Sequence, residues 1–227
     1  MQRYKAILMF VIAVSVIAVA LALGNINNPK EEPLAKINAP SLRRNSSAYW
    51  VSQARTVPDL VGESDLIVYA RVKQAPVTRI ITQELPVLDE EGTPVATVID
   101  SLPFSDTLFE VIKSYSGSVP KELLVMQTGG TTSPSADTVE FVEFSDDPLY
   151  RVGEEYILFL VDISGDSLHA PDRQLYRAVS PAGRFQVANG VATTYWVEST
   201  DKLLPNTVNE LERQISISVS TTIQEDQ

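Results

Sequence analysis

The residues best equipped for chemistry stand together in ISGDSLHAPD, Ile163 to Asp172. Ser167 offers a hydroxyl nucleophile. His169, the only histidine of the 227-residue chain, offers a base. Asp166-x-x-His169 is a spacing at which an acid can orient an imidazole. Serine activation requires hydroxyl and imidazole within hydrogen-bond reach, about 2.6–3.2 Å. In an extended segment Ser167 and His169 would share a face about 6.6–7 Å apart, beyond that reach. Asp166 cannot be both the residue before the nucleophile and the one that orients His169. The run Ile163-Ser164-Gly165-Asp166-Ser167 is good turn chemistry, so the segment is expected to join two strands.

Gly165-Asp166-Ser167-Leu168 spells the opening motif of the GDSL esterases and lipases. Those enzymes place it near the start of a large α/β domain, with the Asp-x-x-His far downstream. Here 59 residues follow Leu168 and no second histidine exists, so the match is read as chance. Asp162-x-Ser164-x-Asp166 resembles the start of a calcium loop, but Ser167 stands where a glycine is needed and Arg173 where a bidentate Glu is needed. Asp89-Glu90-Glu91, Asp146-Asp147 and Glu154-Glu155 read as solvated turns. Gly129-Gly130 lacks the strand-to-helix setting and the lysine of a phosphate loop. Catalytic, cofactor-binding and metal-ligating residues are therefore all assigned as none. The residues expected to meet a partner are Trp50, Phe141, Phe144, His169, Tyr195 and Trp196. The Trp50, Tyr195 and Trp196 rings could also simply cover the ends of a barrel.

Composition narrows the function classes. The chain has 29 acidic and 18 basic residues, a formal charge of −11, which repels nucleic acid and anionic lipid headgroups. It has no cysteine, so disulfides, thiolate metal sites and Cys nucleophiles are excluded, and a single histidine makes a zinc site a poor fit.

The elements that must hold these residues are legible in outline. After the basic flank MQRYK, Ala6–Gly24 runs without a charge. As a helix it would be roughly 28 Å long, close to the ~30 Å hydrocarbon core. It reads as a signal anchor with the rest of the chain outside the cytoplasm. The alternative is a signal peptide cut after Ala18-Val19-Ala20 or Ala20-Leu21-Ala22. Residues 25–47 are Pro- and Asn-rich and read as a stalk. Thr56–Ser64 reads as a short helix capped by Thr56. Leu66, Val68, Ala70 and Val72 alternate with Ile67, Tyr69, Arg71 and Lys73, as in a strand with one buried face. Further strands are read at 78–83, 94–100, 107–117, 122–128, 154–162, 174–180, 184–188 and 191–197. The turn at Asp89–Thr93 makes 78–83 and 94–100 a hairpin arm. Asn189-Gly190 is a strong hairpin signal. The long loop 129–153 holds Val139, Phe141, Val142 and Phe144 as a possible edge strand. Thr207-x-x-Glu210 opens a C-terminal helix at 201–217 whose Val208, Leu211 and Ile215 share a face. A polar tail, 218–227, follows.

SDLIVYARV, LFEVIKSYSGSVPKELLVMQTGG, YRVGEEYILFL and AVSPAGRFQV, in that order, resemble the tissue-inhibitor-of-metalloproteinases and netrin-type modules, and also uncharacterised exported bacterial proteins. The resemblance covers roughly residues 56–190. It implies an OB-fold barrel that binds through a loop region or groove. The inhibitors' zinc-chelating N-terminal cysteine has no counterpart in this chain.

Together these readings predict an all-β, mainly antiparallel chain. Its domain at 48–200 is an OB-fold-like Greek-key β-barrel with a long hairpin insertion, a short helix before the first strand and a helix after the last. The expected function is that of a non-catalytic binding module, membrane-anchored or secreted, without cofactor. Its partner would be a protein or a cell-envelope polymer and not nucleic acid. A carboxylate-dependent enzyme acting on glycans and a structural subunit of an envelope complex are the alternatives.

Overall fold

The computed structural model describes residues 41–46, 52, 54–89, 92–135, 138–195 and 204–225. The apolar segment Ala6–Gly24, Trp50 and Trp196 lie outside the described residues. No helix among the described residues is long and apolar enough to cross a membrane.

Strands dominate, and the larger sheet is mixed. Its centre comprises β2 (Leu66–Val72), β4 (Pro94–Ser116), β5 (Glu122–Thr128), β8 (Glu155–Asp162) and β9 (Tyr176–Ala178). β2 pairs with β4, β4 with β5, β5 with β9, β9 with β8, and β8 with β2. The pairings therefore close on themselves as a ring. Every pair in it is antiparallel except β5–β9, which is parallel. β10 (Arg184–Ala188) and β11 (Val191–Thr194) extend outward from β8. Asn189 and Gly190, both at positive φ, turn that hairpin, as the Asn-Gly pair requires.

Each ring strand sends alternate residues into one cluster: Val68 and Ala70 of β2, Phe109 of β4, Val125 of β5, Leu158 and Leu160 of β8, and Tyr176 of β9. Contributions from all five strands place this cluster inside the ring. Ile67, Ile157, Phe159 and Phe185 point the other way. They are covered by α1 (Val57–Gly62) and α2 (Val208–Glu225) through Val57, Leu60, Leu211 and Ile215. β2 is thus buried on both faces where one buried face was expected. The alternation was read correctly, but two helices cover the second face. Burying Leu211 and Ile215 completely contributes about 1.5–3 kcal/mol each, which holds α2 in place.

Local chemistry accounts for the helix ends. The Thr56 hydroxyl accepts from Asp59 N (3.3 Å), and the Asp59 carboxylate accepts from Thr56 N (3.0 Å). This reciprocal box lowers the Asp59 pKa, chiefly through the Thr56 side chain. Thr207 accepts from Glu210 N at 3.4 Å. α2 runs to Glu225, through residues expected to be tail. Ser216, Ser220, Thr221 and Thr222 donate to carbonyls one turn back, so these polar residues satisfy themselves on the helix.

Three further differences concern strands. Pro94–Asp100 and Thr107–Gly117, expected as separate strands, fall, all but Gly117, within the single 23-residue β4. Pro103 is tolerated within it, and its carbonyl accepts from Gly129 N at 2.8 Å. β4 pairs along its first half with β3 (Val77–Leu88), forming the expected arm. The region 129–153 is not one loop: β6 (Gly130–Ser135) and β7 (Thr138–Phe144) pair there. β1 (Ser41–Ser46), expected as stalk, runs parallel to β7. Val139–Phe144 is therefore the middle strand of a second, three-stranded sheet and not an edge.

Candidate functional site

The site forms where the ring is weakest. β5 and β9 pair only at Val125–Tyr176 and Met126–Arg177. Beyond Met126, Gln127 and Thr128 remain bonded to β4 while β9 runs on beside β8. A cavity of about 300 Å³ lies there. Phe104, Met126, Ile163 and Pro181 supply its apolar wall, and Gln127, Thr128, Asp147, Asp166, His169, Arg177 and Ser180 supply its polar groups.

One wall is the β8–β9 connection, the ISGDSLHAPD segment. It is a series of turns, as expected. Asp162 Oδ1 accepts from Ser164 N (2.8 Å), and Asp166 Oδ1 accepts from Leu168 N (3.0 Å) and His169 N (2.8 Å). The two carboxylates thus fold their own backbone. Among the described residues no group of His, Asp or Glu is arranged to hold a metal ion. Because the turn is not extended, the Asp166 side chain reaches His169. Its Oδ1 lies 3.0 Å from His169 Nδ1, and the imidazole packs edge-on against Phe104 with ring centroids 5.3 Å apart. The backbone N–H groups of His169 and Leu168 hold the Asp166 carboxyl below its ordinary range. Ser167 is exposed.

Asp147, one of the lining residues, pairs with a buried cation. Arg184 is 1% exposed and is the largest fully buried side chain among the described residues. Its Nη1 donates to Asp147 Oδ1, and its guanidinium lies 3.9 Å from the Tyr150 ring centroid, 5.3 Å from Tyr156 and 5.8 Å from Tyr195. Burial opposes the charge, yet Tyr150 and Asp147 keep the Arg184 pKa above its ordinary value. Burial pushes the Asp147 carboxyl up, with Arg184 beside it pulling the other way. Gln127 braces the Asp147 segment: its amide donates to the carbonyls of Asp147 and Pro148 (both 2.9 Å) and accepts from Tyr150 N (3.3 Å). Arg184 Nε and Nη2 and the Ser180 hydroxyl are buried without a hydrogen-bond partner.

Asp146-Asp147 and Glu154-Glu155 were expected as solvated turns. Instead Asp147 is the buried partner of Arg184. Glu155 bonds Tyr69 and Arg71, and Glu154 accepts from the Tyr156 hydroxyl at 2.6 Å. The partners of Asp147 and Glu155 arrive from distant strands, which local sequence does not reveal, whereas that of Glu154 is only two residues away. Gly130 packs closely against two side chains: a Cβ there would lie 2.4 Å from Thr78 Oγ1 and 2.5 Å from Ser105 Oγ.

Of the six residues expected to meet a partner, His169 alone lines the cavity. Tyr195 is half-buried, donates to Gln186 Oε1 (3.0 Å) and reaches the site only through Arg184. Phe144 is buried at the end of β7 and Phe141 is half-buried. Trp50 and Trp196 lie outside the described residues. Sequence reasoning missed Thr128, Asp147, Arg177, Ser180 and Arg184. Ser180 carried a faint signal: it stands at the cap position before Pro181-Ala182-Gly183 but makes no capping hydrogen bond, which leaves its hydroxyl for another use.

No family model matches the chain. No curated protein is significantly similar to it.

Proposed function

We propose that this chain is an extracytoplasmic binding module, carried outside the membrane by its apolar N-terminal segment or released after cleavage, with an OB-like Greek-key barrel as its scaffold. The five-strand ring with its single parallel pair supports the barrel reading, and so does the resemblance to netrin-type modules. OB barrels take ligands on the face of their second and third strands and in the loop between the fourth and fifth. The observation that carries the functional reading is the cavity at the β5–β9 gap. Its walls come from β4, β5, β9 and the β8–β9 connection, and it holds hydroxyls and a guanidinium to which no described residue bonds.

A thermal-shift screen of the full chain in detergent, with sugars, short peptides and small carboxylates at millimolar concentration, tests this. A ligand that binds only the native state raises the melting temperature. At least one class is expected to do so for the wild type and not for Ser180→Ile, which fills the cavity. No stabilisation by any class would remove the reading. Mass measurement of the mature chain decides between anchor and released forms: loss of the first 20 or 22 residues, the two cleavage points noted in the sequence, excludes the anchor.

One observation favours a second reading, a hydrolase. Asp166 and His169 form a couple at 3.0 Å, and Ser180 lines the same cavity. Turnover of p-nitrophenyl acetate that disappears in both His169→Ala and Ser180→Ala would establish it, and equal background rates in all three proteins would dismiss it.

A further inference from the structure

We infer that the β5–β9 cavity takes a neutral, hydroxyl-rich ligand, a saccharide of about one to two rings on the scale of small-ligand pockets. This rests on the proposal that the cavity is the binding site and assigns the class of its occupant.

The formal charges at the cavity cancel in number. The Asp147 carboxylate is paired with Arg184, and the lining holds one further carboxylate, Asp166, and one further guanidinium, Arg177. A ligand with a strong net charge would meet no net counter-charge among these groups. The groups left for a ligand are mixed in kind. Ser180 presents a buried, unpartnered hydroxyl. The hydroxyl of Thr128 and the guanidinium of Arg177 make no hydrogen bond or ion pair with any described residue. Asp166 uses Oδ1 for all three of its contacts, which leaves Oδ2 as an acceptor. His169 is engaged only through Nδ1, which leaves Nε2. Of these five groups two both donate and accept, one only donates, one only accepts, and His169 Nε2 does either according to the tautomer.

Sugar hydroxyls match such a set, because each donates and accepts at once. The apolar C–H face of a pyranose suits the wall formed by Phe104, Met126 and Ile163. A peptide strand would instead need a ladder of main-chain groups at an open edge. Here the available groups are side chains converging from β5, β9 and the turn at Asp166–His169. The acidity of the chain, −11 overall, adds a long-range bias against anionic polymers.

The test uses the full chain in detergent and three disaccharide probes: maltose, cellobiose and N,N′-diacetylchitobiose. Benzoate and the tripeptide Gly-Leu-Gly serve as contrasting probes. Saturation-transfer NMR detects binding, and titration gives Kd. At least one disaccharide is expected to bind, with Ser180→Ala and Arg177→Met each weakening it about tenfold, the size of one good hydrogen bond. Thr128→Val provides a third reading if Ser180→Ala unfolds, as judged by its melting temperature. Lys73→Ala, on the exposed pair with Glu122, should leave Kd unchanged. If benzoate or the tripeptide binds in a Ser180-dependent way and no sugar does, the saccharide class is wrong while the binding site stands. If no probe of any class binds, both fail. Sugar binding indifferent to Ser180, Arg177 and Thr128 would overturn the placement in this cavity.

Discussion

Arg184 and Asp147 show how much one pair of residues governs. Removing one partner of a buried ion pair leaves the other charge unmatched and costs about 3–5 kcal/mol, whereas replacing both by apolar groups can be nearly neutral. Arg184→Met is therefore expected to destabilise by about that amount in urea unfolding. The double variant Arg184→Met, Asp147→Leu should recover most of the loss. Strict additivity of the two single effects would show that the pair is not coupled. The pH dependence has a definite sign. The folded-state pKa of Asp147 is raised by burial, so its contribution is present below the unfolded value and is lost as pH rises through the folded one. Neither partner is legible in sequence. Asp147 follows Asp146 in a run that reads as a polar turn, and Arg184 follows Gly183 at the start of a short strand. Only the ring of Tyr150, Tyr156 and Tyr195 makes the site for the guanidinium.

Elements are stabilised by contacts of two different strengths. α2 is seated by Leu211 and Ile215 and clamped at its rim by Glu212, which accepts from Tyr115 (2.5 Å) and Lys113 (2.9 Å) of β4. Tyr115 and then Lys113 depress the Glu212 pKa below its ordinary value of 4.5. A depressed carboxylate contributes stability above its unfolded pKa and loses it as pH falls through the folded value. Glu212→Gln should therefore cost about 1 kcal/mol near neutral pH. Below pH 4.5, the unfolded reference value, its melting temperature should fall less steeply than that of the wild type. Parallel melting curves against pH would show that the clamp contributes nothing. The β3–β4 arm is the opposite case. Beyond the Thr82–Ser101 pair its two strands pair with each other, and Leu88, Val98 and Ile99 are exposed. A two-stranded ribbon alone is marginal in water. Replacing residues 83–100 by Asn-Gly is therefore expected to move the melting temperature by only a few degrees. Loss of folding would mean the arm is part of the core.

At the scale of the whole molecule, stability should follow ring closure. Amides of β2, of β8 and of β4 from Phe104 to Glu110 lie between two paired neighbours and against the apolar cluster inside the ring. They should exchange with solvent most slowly, near the global unfolding free energy. The arm tip and the turn at Gly165–His169 should exchange orders of magnitude faster, and the β5–β9 seam should fall between. Uniform protection across the sheet would contradict this order. An intermediate seam is also the property expected of a ligand mouth, since a site held by two paired residues on each strand opens at less cost than one inside a full ladder.

The sequence by itself determined what depends on near neighbours. The alternation of Leu66 to Val72, the capping box at Thr56–Asp59, the Asn189-Gly190 hairpin, the 3–4 spacing of Val208, Leu211 and Ile215, and the turn at Gly165–His169 each follow from geometry within a few residues. The tertiary structure alone decided what depends on distant partners. It covered the second face of β2 with helices, made 94–116 one strand, turned an expected loop into β6 and β7, and buried Asp147 against Arg184. It also parted β5 from β9 after two pairs, which brings Thr128, Arg177, Ser180 and His169 around one cavity. Short-range periodicity reports which side of an element is apolar. Which other element meets that side, and where two strands fail to meet, is settled only by packing of the whole chain.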